Sequence, residues 1–247
     1  MSEEQVPAAM AQALRPCESV EVLARPPLQG RADLLPPDVA WAYRVGPHST
    51  RPSSLPPRKL VVTDIEPPEE LRKILPPLPT SAPAELSNDM TLLRGAEATP
   101  SRVLEAMTRA TEIAIHTHGM IDQGVSDASF LVLSRDDDGR FTLTAREVQE
   151  AHLEGHPMVL LAACYAGQTT PSLHESFGLP IAFLHAGARG VLAATEQIPD
   201  REAALFFEPV LARIQAGEAP AAVLRDARMA WREQRGPGWV DKVLLFQ

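Results

Sequence analysis

Residues 157–164, Pro157-Met158-Val159-Leu160-Leu161-Ala162-Ala163-Cys164, form an unbroken apolar run that ends on a cysteine, with Tyr165-Ala166-Gly167 behind it. A short apolar run without polar alternation reads as a strand buried on both faces, the kind that parallel sheets use. Outward from it, the same texture recurs at 190–198 (GVLAATEQI), at 111–119 (TEIAIHTHG, ending on a glycine) and at 59–65 (KLVVTDI). Helical patterns lie between these runs. Thr99 is an N-cap with Pro100 at the first helical position, and Val103, Leu104 and Met107 form the apolar stripe. Further helices are expected at 145–155, closed by Gly155, at 180–190, at 200–217 and at 219–236. Residues 129–145 read as a hairpin turning at Asp138-Gly139, and 239–247 as a final strand. Strands alternating with helices predict an α/β fold, a three-layer α/β/α sandwich around a mainly parallel sheet with right-handed crossovers.

The chain has 247 residues, enough to bury a large core without disulfides or metals. Of its 24 prolines, 17 fall in residues 1–100, and interior prolines cost a helix about 3 kcal/mol each. An amino-terminal array of long helices is therefore excluded. Residues 1–58 are expected to be a proline-rich extension packing on or beside the core, with short strands near 20–24 and 39–45. Residues 59–247 form the core domain, with 67–98 irregular apart from a short helix at 69–75. The net charge of −9 and the lack of a basic run argue against nucleic-acid partners. No apolar stretch reaches 18 residues, so no membrane span is expected. The acidic start lacks signal-peptide features, and the two cysteines, Cys17 and Cys164, form no CxxC pair. A cytoplasmic location with free thiols follows.

Open α/β sheets bind ligands at the carboxyl ends of their strands. Two strands here end in reactive side chains with glycine close behind: His116-Thr117-His118-Gly119, and Cys164 followed by Gly167. A thiolate is a good nucleophile toward carbonyls, but a thiol with pKa of about 8.5 is mostly protonated at neutral pH. A histidine on the neighbouring strand supplies the base, then protonates the leaving amine. Parallel strands lie about 4.8 Å apart, so His118 and Cys164 can meet across the sheet edge. Glycine at such a turn exposes N–H groups to a developing oxyanion. His116, two residues before His118, fits a packing role. A zinc site drawing on His116, His118 and Cys164 is a competing reading, but the residues after His118 are Gly119-Met120-Ile121-Asp122, a poor metal spacing. For Cys164 the bland alternative is a small buried hydrophobe.

Taken in order, several segments resemble the CHAT family of caspase- and separase-like cysteine peptidases. These are His118-Gly119, the run Ser129 to Leu133, the run Leu161 to Gly167, the run Ala182 to Val191 (AFLHAGARGV), Val223 to Arg228 (VLRDAR) and Trp239-Val240. The resemblance spans about residues 59–247. It implies a caspase-like fold and cleavage of a protein substrate in trans, with His118 as base and Cys164 as nucleophile. It also implies oxyanion donors at the N–H groups of Gly119 and Cys164, no metal or organic cofactor, and a place in a prokaryotic cell-death or defence pathway. The chain departs from the family at Ala162 and Ala166. It departs again at residues 195–200 (TEQIPD), where the family's aspartate is kept as Asp200 and its tryptophan is lost. The tetratricopeptide repeats that often precede this domain are not present, so sensing is expected to come from an activator or sensor protein or from the short amino-terminal extension, with the enzyme latent until then. Asp200, with Asp122 and Asp127 on the loop after the base, are the residues expected to line a pocket for a basic P1 side chain. For Asp200, capping of the following helix is the alternative. A catalytically silent interaction module is the runner-up function, and a metal-dependent hydrolase the third.

Overall fold

The computed structural model describes residues 6–46, 53–78, 87–122, 128–172 and 175–247. In chain order the elements are α1 (Ala8–Leu14), β1 (Val20–Val22), β2 (Trp41–Tyr43), β3 (Lys59–Ile65), β4 (Met90–Gly95), α2 (Pro100–Met107), β5 (Glu112–His116) and β6 (Gly119–Asp122). Then come β7 (Ala128–Val132), β8 (Thr142–Thr144), α3 (Ala145–Glu150), β9 (Met158–Ala162), β10 (Thr170–Ser172), β11 (Glu175–Phe177), α4 (Leu179–His185) and β12 (Gly190–Ala194). The chain ends with α5 (Asp200–Gln215), α6 (Pro220–Arg235) and β13 (Val243–Phe246).

Eight strands make the main sheet, in the order β1-β2-β13-β12-β9-β5-β3-β4. Every pairing in it is parallel except β12 with β13. The fully apolar strands cover both faces, as a buried parallel sheet demands. Val159 and Leu161 of β9, Ile113 and Ile115 of β5, and Val191 and Ala193 of β12 face one core, with Val103 and Met107 of α2, Val148 of α3 and Phe183 of α4. Leu160, Ala114 and Leu192 face the other core, with Phe207 and Val210 of α5 and Trp231 of α6. The alternation of period two sorts one sheet between two helical layers. The result is the three-layer α/β/α sandwich expected from the sequence. A separate three-stranded sheet, β6-β7-β8, grows from the end of β5, and β8 leads into α3 through a capping box of Thr144 and Glu147.

Several local expectations are corrected. The strand read through Gly119 stops at His116, and Gly119 opens β6 in the smaller sheet. The helix after Ala145 ends at Glu150, because Ala151 is already extended at ψ 154°. Gly155 serves a different need: a Cβ there would lie 1.9 Å from the Ala110 carbonyl oxygen. The short helix at 69–75 is a single 3-10 turn, Glu69–Leu71. The final strand begins only at Val243, after a 3-10 turn at Trp239–Lys242. The edge strand β4 falls in the stretch read as irregular.

Two strands from the first 58 residues, β1 and β2, extend the main sheet beyond β13. The Tyr43 hydroxyl donates to the carbonyls of Leu28 (2.8 Å) or Arg31 (2.9 Å) and so ties the intervening loop down. Arg228 of α6 is only 4% exposed, and its guanidinium donates to Val243 O (2.9 Å), Val240 O (3.4 Å) and Pro37 O (3.5 Å). One cation thus joins the amino-terminal segment, α6 and the approach to β13. Arg228→Met keeps the aliphatic stem but strands those carbonyls, and is expected to cost about 2–4 kcal/mol. Urea unfolding of the two proteins measures it.

Candidate active site

The register of β5 against β9 sets the site. His116 lies opposite Ala162, and the Thr117 N–H donates to Ala162 O at 3.4 Å. Two residues further along each chain come His118 and Cys164. The next residue after His118 has no room for a side chain: a Cβ on Gly119 would fall 1.9 Å from Cys164 O and 3.4 Å from the Ala163 Cβ. The sharp turn after the cysteine is made by Tyr165, a left-handed residue at φ 59°, and not by Gly167. That turn is pinned to the β12 end by Tyr165 N–H to Glu196 O (3.2 Å) and Gly167 N–H to Ala194 O (2.7 Å).

His116, His118, Cys164, Ile198, Asp200 and Leu78 line one cleft, with a free volume of about 20 Å³, room for about one water molecule. His118 Nε2 is 2.7 Å from the carbonyl oxygen of Pro76. A carbonyl only accepts, so Nε2 carries the proton, and in the neutral ring Nδ1 holds the free lone pair. The Cys164 thiol sits on the loop before α5, accepting from Ile198 N–H at 3.4 Å, with Ile198 O 3.9 Å away. No hydrogen bond joins Cys164 to His118. Burial pushes the Cys164 thiol above its ordinary pKa, the Ile198 hydrogen bond pulls it down, and the nearby Asp200 carboxylate pushes it up again. His116 is held neutral: burial lowers its pKa to about 4, Lys59 adds to the fall, and Asp64 opposes it.

Among the described residues, two backbone N–H groups near the turn make no backbone hydrogen bond. The Cys164 N–H meets no backbone acceptor among the described residues. The Val132 N–H donates to His118 O, which puts the Gly119–Leu131 pair in the non-hydrogen-bonded position of the β6–β7 ladder. The Gly119 N–H therefore faces away from β7.

Of the three aspartates read from the sequence, Asp200 lines the cleft. It is the first residue of α5, with Pro199 at the N-cap position, and no side chain caps that helix. Asp122 is the last residue of β6, three residues beyond Gly119, and Asp127 lies outside the described residues. Sequence reasoning missed Pro76, Leu78 and Ile198. Pro76 acts through its main chain, so no side-chain pattern marks it. Pro199 does mark Ile198, because the residue before a proline is driven to extended backbone. Among the described residues, no three His, Cys, Asp or Glu side chains are grouped to hold a metal ion. No helix among them is long and apolar enough to cross a membrane.

Comparison with solved structures yields similar folds at low identity. The Arg-specific cysteine proteinase gingipain R is 14% identical at a TM-score of 0.51, over 81% of this chain and 48% of that one. The Porphyromonas gingivalis RgpB complex of pro- and mature domains scores 0.50 at 13% identity, over 81% of this chain and 48% of that one. Separase in the Saccharomyces cerevisiae separase–securin complex scores 0.52 at 10% identity, over 85% of this chain and 14% of that one. The chain thus spans about half of the gingipain chain and a small fraction of separase, and at these identities the likeness is one of fold. No curated protein matches it in sequence. A family model, the CHAT domain, matches residues 28–237. The chain belongs to the CHAT domain family.

Proposed function

We propose that the protein is a cysteine endopeptidase with Cys164 as nucleophile and His118 as base. The observation that supports this reading is the cleft itself, which the Cys164 thiol and the His118 imidazole line together beyond the carboxyl ends of β9 and β5. The Pro76 carbonyl holds the proton on Nε2, so Nδ1 is the atom that takes the thiol proton. The thiolate then attacks the scissile carbonyl, and the N–H groups of Gly119 and Cys164 receive the oxyanion. The imidazolium gives its proton to the leaving amine, and water releases the acyl group. Because the raised thiol pKa keeps Cys164 protonated at neutral pH, attack requires general-base help.

The cleft is narrow. A peptide needs far more than about 20 Å³, so Leu78 or the Ile198 loop has to move before substrate enters. That fits a latent enzyme opened by an activator or sensor protein, acting in trans on a dedicated protein substrate in the cytoplasm, within a prokaryotic cell-death or defence pathway. Asp200 is the carboxylate proposed to receive a basic P1 side chain, with Asp122 and Asp127 as further members of that pocket. A cation bound to Asp200 also cancels the carboxylate's repulsion of the thiolate, so the right substrate helps to ionise its own nucleophile. That gingipain R is Arg-specific agrees with this preference. The lack of a Cys164–His118 hydrogen bond favours the second reading, a catalytically silent interaction module on the same fold.

Labelling by a peptidyl thiol-reactive probe ending in arginine, with candidate activators present, separates the two. Cys164-dependent labelling and peptide cleavage are expected, with Cys164→Ala and His118→Ala each reducing turnover by about 10²-fold or more. Labelling that never depends on Cys164 leaves the silent module. In peptide-library profiling, cleavage after Arg or Lys is expected, and strong cleavage after Asp or apolar residues overturns the basic pocket. The alkylation rate of Cys164, followed in a Cys17→Ser background, should climb at a pH above that of an ordinary thiol, since only the thiolate reacts. Asp200→Asn should move that rise to lower pH and speed labelling at pH 7.5. Gly119→Ala forces the Cys164 carbonyl to shift, and should cost about 1–3 kcal/mol in thermal or urea unfolding together with most of the activity.

A further inference from the structure

A second cavity, of about 560 Å³, opens at the opposite end of the main sheet. Its floor is one register row: Arg189 immediately before Gly190 of β12, which pairs with Met158, then Glu112, then Lys59, across four adjacent strands. Glu112 to His116 is the length of β5, about 13 Å, so this cavity is separate from the Cys164 cleft. Its wall charges do not balance. Glu112 is 8% exposed and serves Lys59 Nζ at 2.9 Å and the side-chain amide of Gln215. Arg189 faces the same cavity, is drawn electrostatically to Glu112, and has no hydrogen bond or ion pair from its guanidinium among the described residues. Arg58, exposed at the rim, has no ion pair among them either. The other carboxylate, Asp89, is paired to neither arginine, and a hydrogen bond from Ser87 holds it ionised. Among the described residues, three cations thus meet two carboxylates, one of which is already shared, in a protein whose net charge is −9.

A half-buried guanidinium without a partner is costly unless something supplies acceptors. The planar donor fork of arginine matches phosphate and carboxylate oxygens. The volume falls within the range of small-molecule sites. We infer that this cavity binds a small polyanion, through phosphate or carboxylate groups held by Arg189 and Arg58.

The test is thermal unfolding and titration calorimetry of the full chain with sodium pyrophosphate and with citrate, in EDTA, against sodium chloride of equal ionic strength. At least one probe is expected to raise Tm beyond the chloride control. A response to pyrophosphate identifies a phosphate ligand, and a response to citrate a carboxylate one. Arg189→Gln should weaken binding at least tenfold, and Arg58→Gln, at an exposed position where folding is unaffected, should weaken it as well. Cys164→Ala should bind as the wild type does, which keeps this site independent of the peptidase reading. No stabilisation by either probe beyond the chloride control overturns the proposal, as does unchanged binding in both arginine variants.

Discussion

The approach of Gly119 to the Cys164 carbonyl is the constraint on which the rest of the site depends. At 1.9 Å from an imagined Cβ to that oxygen, no other residue fits without moving the chain that carries the thiol. The contact exists because β5 and β9 are direct parallel neighbours with His116 opposite Ala162, so both chains leave the sheet at the same level. From that one register follow the shared cleft of His118 and Cys164, the turn forced onto Tyr165, and the switch of Gly119 into the smaller sheet. A slip of one residue would reverse the faces of every side chain on the strand and bury the histidine on the wrong side.

The main sheet can hold such a register because it is buried on both faces. Its two cores alternate residue by residue along β5, β9 and β12, so any slip exchanges contents between two filled layers. The amino-terminal segment contributes to the same body: β1 and β2 lengthen the sheet beyond β13, and Arg228 and Tyr43 supply the donors that its loop carbonyls lack. The proline-rich texture of that segment therefore coexists with a role in the sheet. Prolines sit before and after its short strands, where no ladder bond is lost.

Legibility followed burial. The strands at 112–116, 158–162 and 190–194 lie inside the apolar runs 111–119, 157–164 and 190–198, and 59–65 coincides with its run, because both faces are apolar; the strands at 20–22 and 41–43 lie inside the short runs near 20–24 and 39–45. Strand β4 was not legible, since only Leu93 of Met90–Gly95 is buried and an edge strand needs no apolar run. Thr99 was legible as a cap because capping is local, and it accepts from the Arg102 N–H as its position demands. The end of α3 is not legible, because Gly155 answers to Ala110, a tertiary neighbour that no local window of sequence contains. The same holds at the cleft: His118, Cys164 and Asp200 are marked by side-chain chemistry, whereas Pro76 contributes only a carbonyl and Ile198 only its main chain.

The electrostatics of the cleft work against a thiolate at Cys164. Burial, the largest influence on the Cys164 thiol, and the Asp200 carboxylate favour the protonated form, whereas the N–H groups of Ile198 and of Cys164 itself favour the thiolate. The hydrogen bond from the Ile198 N–H to the sulfur, at 3.4 Å, favours the thiolate. On the other side, the Pro76 carbonyl fixes the Nε2 proton of His118 and so leaves its second nitrogen as an acceptor. The thiol and the imidazole can exchange a proton only once a hydrogen bond joins them, and here the thiol is bonded to Ile198. In the proposed mechanism, opening of the cleft would free the thiol from Ile198, and a cation at Asp200 would remove the like-charge penalty on its ionised form. Geometry and charge thus act on the same step, so a ligand that opens the cleft without neutralising Asp200 would leave the thiol reachable but still protonated.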